Sequence, residues 1–170
     1  MRNITFAVLC GFSSLALAHG SHHQASHQHH EIKDYSAQLA AAKPASEVRV
    51  EQCWVRLLPS TVPSAGYFII HNDSNEDLEL IAGATPSYAH VMLHETIEED
   101  GMAKMVMADE MVIPAKSTIE FKPGGLHAMF EQPTHNIELG QTMEMELLFA
   151  NQQKVAIHCK VNPANARSYE

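Results

Sequence analysis

The stretch "HVMLHETIEEDGMAKMVMA", residues 90–108, decides the fold. Charged residues and apolar or β-branched ones are interleaved on both sides of Asp100-Gly101. An Asp-Gly pair between two such runs is the strongest short-range signal for a β-hairpin with a two-residue type I′ turn, because both turn residues need a positive φ. With that turn Glu99 faces Met102, Thr96 faces Met105 and His94 faces Met107. Side chains alternate along a strand, so His94, Thr96, Met105 and Met107 leave one face of the hairpin. His94 and Met105 become diagonal neighbours about 7 to 8 Å apart, close enough for an imidazole and a thioether to share an ion. The pairing depends on the loop length, since a shift of one residue turns a strand over.

The same texture continues outward from this hairpin. From Val48 onward, short runs rich in Val, Ile, Phe and Met are separated by turn residues, the mark of a β-sandwich or barrel. The predicted strands are "VRVEQCWVRLL", "AGYFIIHN", "LELIAGAT", "HVMLHETIEE", "MAKMVMA", "STIEFK", "HAMFE", "TMEMELLFA" and "KVAIHCKV". Pro63, Pro86, Pro114 and Gly124-Gly125 supply breaks, and no long amphipathic helix interrupts the series. The pattern predicts an all-β Greek-key sandwich over 48–162, with 163–170 as a C-terminal tail. A chain of 170 residues suits one such domain.

The N-terminal part is of a different kind. Residues 1–18 read as a cleaved secretory signal: Arg2 gives the positive start, 4–17 is mostly apolar, and Ala16-Leu17-Ala18 has the form of a signal peptidase site. The apolar run is shorter than the roughly 20 residues a membrane span needs, and no later stretch is continuously apolar over that length. Cys10 follows Leu9 inside the signal, where lipid attachment would need a small residue. Residues 19–30, "HGSHHQASHQHH", carry His19, His22, His23, His27, His29 and His30, a tail of metal-binding composition with nothing to build a core. Residues 31–47 read as a linker with a short helix over 35–42 that Pro44 stops.

Charge and cysteines narrow the classes further. The net charge is −9 with histidine neutral, and losing Arg2 with the signal makes the remainder one unit more negative. Nucleic-acid binding rests on Lys and Arg neutralising phosphates, so that partner is excluded. Cys53 and Cys159 remain near the first and last strands. In an oxidising compartment such a pair points to a disulfide, with two free thiols or a thiolate metal site as the alternatives. Their wide separation and the lack of a Cys-x-x-Cys argue against thiol-exchange catalysis.

The parity argument applies again at "HAM", 127–129, where His127 and Met129 face the same way. Two local His and Met pairs are then available, and thioether discriminates among metals because it suits Cu(I) rather than Zn or Fe. Either pair alone reads as packing, since Met commonly fills gaps in a core. Two pairs of matching parity, in a secreted chain with a histidine tail, point instead to copper held by His94, Met105, His127 and Met129. Met92 and Met107 share the parity but are read as core or rim packing. Trp54 reads as a core aromatic, Met143 and Met145 as one buried face with Leu147, and His71, His90, His135 and His158 as surface or hydrogen-bonded histidines.

The pattern His94-x10-Met105-x21-His127-x-Met129 resembles the copper-ligand motif of the periplasmic PCu(A)C copper chaperones. The surrounding "LHETIEEDGMAKM", "IPAKSTIEFKPGGLHAM" and "CWVRLLP" with "SAGYFIIHN" are similar to that family as well, and the likeness spans 48–161. Where some members have Met directly after the first His, this chain has Glu95. The resemblance implies a cupredoxin-like β-sandwich holding one Cu(I) near its surface. It also implies delivery to an acceptor, the copper A centre in subunit II of cytochrome c oxidase or another assembly chaperone.

A site of two neutral imidazoles and two thioethers carries no charge, so copper should stay bound until acid protonates His94 or His127. Nothing in the sequence pairs an acid with a base or a nucleophile with its base, so no turnover is expected. The alternative reading is a periplasmic Cu(II) or Zn(II) scavenger acting through the histidine tail, since imidazole suits both ions.

Overall fold

The computed structural model describes residues 33–108 and 111–169. The expected signal, 1–18, and the histidine tail, 19–30, lie outside the described residues. Along the described chain the elements are α1 (Ser36–Ala41), β1 (Lys43–Pro44), β2 (Val48–Arg56), β3 (Ser64–Asn72), β4 (Leu78–Ala84), β5 (Tyr88–Glu99), β6 (Met102–Met107), β7 (Met111–Ile113), β8 (Thr118–Phe121), β9 (Leu126–Pro133), β10 (Thr142–Phe149) and β11 (Gln153–Asn162). All nine predicted strands are present, with ends shifted by a few residues.

The strands form one hydrogen-bonded path, β6-β5-β9-β3-β2-β11-β10-β4-β7, with β1 added to β11 and β8 to β3. The path is open and folds back on itself. A Cβ on Gly83 of β4 would lie 2.9 Å from Met145 Cε and 3.0 Å from Val91 Cγ1 of β5, although β4 and β5 stand near opposite ends of the path. Two layers therefore enclose one core, built by Val55, Phe68, Ile70, Leu80, Ile113, Phe121, Phe130, Met145, Leu147 and Cys159 among others. This is the expected β-sandwich.

Two irregularities keep the alternation in phase with that core. In β2, Val48 and Val50 turn toward the core but so do Cys53 and Val55, an odd step that a regular strand cannot make. A bulge resolves it: the register against β3 shifts between Glu51 and Trp54, and Gln52 takes a φ of 52°. A second shift, between Leu148 and Phe149, lets Phe149 and Leu80 face the core while Leu148 and Ala82 face away.

The linker is more structured than its composition indicated. The helix spans 36–41, one residue shorter at each end than expected, and the chain is extended by Lys43, as the residue before a proline prefers. Leu39 and Ala42 bury against Ala82 and Leu148, and Lys43–Pro44 runs parallel to Gln153 and Lys154. Cys53 and Cys159 are joined in a disulfide, with Cα atoms 4.4 Å apart across the parallel pair β2 and β11. Trp54 is buried, but parity turns it away from the main core; its ring lies 4.5 Å from that of Tyr67, tilted by 36°, with Arg56 over both rings. Met143, Met145 and Leu147 form the buried face that their spacing predicted.

Candidate metal centre

The hairpin forms as its turn dictates. Asp100 and Gly101 have φ of 53° and 75°, the positive pair that a type I′ turn needs, and His94↔Met107, Thr96↔Met105 and Glu99↔Met102 are in register. The second relation comes from β9, which runs antiparallel to β5 on its other side with His94↔His127 and Met92↔Met129 directly opposed.

Three rows of side chains thus cross the outward face of β6, β5 and β9. The central row is Met107, His94 and His127. Beside it lies Met105 with Thr96, whose backbone N–H donates to the Gly125 carbonyl at 3.2 Å. On the other side Met92 and Met129 are opposed, followed by Ala65 of β3. The reverse face of the same strands carries Leu93, Ala128 and Phe130 into the core, which fixes the orientation of the rows.

The two imidazoles are buried, and their ring centroids lie 5.8 Å apart. His127 Nδ1 sits 2.9 Å from the Gly125 carbonyl oxygen. A carbonyl only accepts, so Nδ1 carries the proton there and Nε2 keeps its lone pair for a ligand. Such an anchor holds the ring orientation that metal ligation requires. Among the described residues no group of three or more His, Cys, Asp and Glu could hold a metal. The side chains in the rows flanking the His94 and His127 pair are the thioethers of Met105, Met92 and Met129, with Thr96 and Ala65. Met105 is 53% exposed, whereas Met92, Met107 and Met129 are half-buried.

The structure sets His94 against His127 and puts Met105 and Met129 in rows on opposite sides of that pair. What the sequence reading missed is the like-for-like register of β5 and β9. The signal was present: Met92-x-His94 is His127-x-Met129 read backwards, a relation that an antiparallel pair sets like against like. Of the other histidines, His90 stands on the same face one row beyond Met92 and Met129, opposite Glu131. His71 bonds Thr118 Oγ1 at 2.9 Å and lies 3.4 Å from a Glu51 carboxylate oxygen, and His135 contacts the Thr134 hydroxyl.

The sequence profile described as "Putative lipoprotein LpqE-like" matches residues 48–161. The chain belongs to the LpqE-like family. A relative of this LpqE-like chain in Rickettsia prowazekii (strain Madrid E) is 28% identical over 106 residues, covering 60% of this chain and 59% of the relative. Another, named "Putative lipoprotein Lxx21020", from Leifsonia xyli subsp. xyli, is 32% identical over 111 residues, covering 64% and 66%. The alignments thus span about three fifths to two thirds of these relatives. Solved PCuAC domains share the fold. The apo PmoF2 PCuAC domain matches with a TM-score of 0.59 at 19% identity, over 75% of this chain and 98% of that one. The solution structure of CuI-DR1885 from Deinococcus radiodurans matches with a TM-score of 0.56 at 26% identity, over 75% and 84%. The cupredoxin-like fold implied by the sequence resemblance is therefore the fold of this protein. No helix among the described residues is long and apolar enough to cross a membrane.

Proposed function

We propose that this LpqE-like protein is a periplasmic copper chaperone. It carries one Cu(I) between His94, His127, Met105 and Met129 and gives it up to an acceptor protein. The observation that carries this reading is the direct opposition of His94 and His127 inside a frame of methionines. Two neutral nitrogens and thioether sulfurs make a soft, uncharged donor set that favours Cu(I) over Zn(II) or Ca(II). The copper-bound state named for two structural relatives, the PmoF2 domain and DR1885, supports the same cargo. Lipoprotein naming in the family and the signal-like start of the sequence support an envelope location.

The chain works as a carrier and not as a catalyst. The rows hold no carboxylate and no nucleophile with its base, so their chemistry is exchange of one ligand for another. Exposed Met105 is the sulfur that an incoming ligand reaches first. The acceptor is the copper A centre in subunit II of cytochrome c oxidase, or an assembly chaperone that serves it.

A competition titration with a chromophoric Cu(I) chelator tests the reading. The wild type should take one Cu(I) per chain, and the His94→Ala/His127→Ala double variant should bind at least about 100-fold more weakly. The Met105→Leu/Met129→Leu variant should weaken Cu(I) binding while sparing uptake of Zn(II) or Cu(II) by the 19–30 tail. A folded double-histidine variant with wild-type Cu(I) affinity would overturn the proposal.

A further inference from the structure

The four outward methionines come in two pairs. Met105 and Met107 are next neighbours on one face of β6, and Met92 opposes Met129 across β5 and β9. Each sulfur named as a ligand therefore has a second sulfur beside it, turned the same way. Met107 is set closer to His94 than Met105 is, for it opposes His94 directly while Met105 lies on the diagonal. Packing in the main core does not explain the extra pair. Among the described residues, neither the core cluster nor the partly buried residues packed against it include Met92 or Met107, whereas Met111, Met143 and Met145 belong to the core.

We propose that Met107 and Met92 are reserve thioether ligands, each able to take over from its neighbour, Met105 or Met129, while Cu(I) stays on the two histidines. The inference rests on the copper-carrier reading. Thioether ligation involves no proton, so exchanging one sulfur for another changes neither the charge nor the protonation of the site. When an acceptor draws Met105 away from the ion, Met107 fills the position and keeps copper from leaving before the acceptor has bound it. The same exchange between Met129 and Met92 serves the inner side. No bond is made or broken except the copper to sulfur contacts, one replacing the other.

Two double-mutant cycles test this, one on Met105 and Met107 and one on Met129 and Met92, each with Leu as the replacement because it nearly conserves volume. Cu(I) affinity is read by competition with a chromophoric chelator, and folding by the denaturation midpoint. A reserve ligand makes each single substitution mild, about tenfold or less, while the second substitution costs at least about tenfold more in the substituted background than in the wild type. Additive or absent effects in either cycle overturn the assignment of that pair's second sulfur. Loss of binding in His94→Ala/His127→Ala without coupling in either cycle would leave the carrier reading standing and remove this one. A wild type that takes up no Cu(I) would sink both.

Discussion

Methionine occupies two contrasting regions of this molecule. Met111, Met143 and Met145 lie in the core at 7%, 2% and 0% exposure, while Met92, Met105, Met107 and Met129 line the opposite side of the β6, β5 and β9 strands around two imidazoles. The side chain is the same in both places, flexible and polarisable, and only the strand face differs. In the core its volume matters and its sulfur is idle. On the outer face the methionines share or flank the row of two imidazoles, and those rows hold no carboxylate. Composition cannot make this distinction; register can.

The contrast breaks most readily at Met145. Met145→Ala removes a fully buried side chain that packs beneath Gly83 at the junction of the two layers, and should cost about 2 to 5 kcal/mol in denaturant unfolding. The folded fraction should still take one Cu(I). A loss of copper with unchanged stability would mean that the two regions are not separate.

A smaller effect is expected at the turn that presents Met105. Gly101 has a φ of +75° with open space around its Cβ position, so Gly101→Ala meets no clash and suffers only the left-handed backbone, about 1 kcal/mol or somewhat more. The unfolding midpoint measures it. Since the turn sets the register of β6, Cu(I) affinity should fall in the same variant. Stability loss with untouched affinity would show that the sulfurs do not depend on this register.

How much of this was legible in the sequence follows from the range of each interaction. The β5 and β6 pairing was readable in full, because two residues, Asp100 and Gly101, determine the turn and the turn determines every facing pair. The relation of β5 to β9 was not, since nothing local links His94 to His127 and the pairing depends on β8 and its flanking loops returning the chain. The reversed Met-x-His and His-x-Met triplets hinted at it. Strand β7 was missed because three residues, Met111–Ile113, are too few to display a period, and β1 because Lys43–Pro44 pairs with a strand more than a hundred residues away. Trp54 is buried as expected, but a bulge at Gln52 inverts the alternation after Glu51 and turns it away from the main cluster, a step that no periodicity scan anticipates.

Between the two regions, Met105→Leu sharpens the comparison. Met105 is 53% exposed and outside the core, so the replacement should change unfolding stability by no more than about 0.5 kcal/mol. Its Cu(I) affinity should nevertheless drop measurably in chelator competition. A stability change comparable to that of Met145→Ala would place this side chain with the core methionines and undo the distinction.

The least effect is expected from the ion pair on the hairpin. Lys104 Nζ lies 2.8 Å from Glu99 Oε2, and this hydrogen bond, with the attraction between the charges, holds the Glu99 carboxyl below its ordinary range. A carboxylate with a lowered folded-state pKa stabilises above its unfolded value and loses that contribution as pH falls through the folded one. Both side chains are more than half exposed, so water and salt screen the attraction. Glu99→Gln should therefore leave the thermal midpoint unchanged at neutral pH and about 0.15 M salt, and the acid limb of the stability curve should match that of the wild type. The hairpin does not need the pair, because the Asp100-Gly101 turn and six opposed residue pairs already fix its register. If Glu99→Gln lowered the midpoint and flattened the acid limb, the position of Met105 would depend on charge as well as on turn geometry, and the outer face would hold its sulfurs less firmly than the core holds its own.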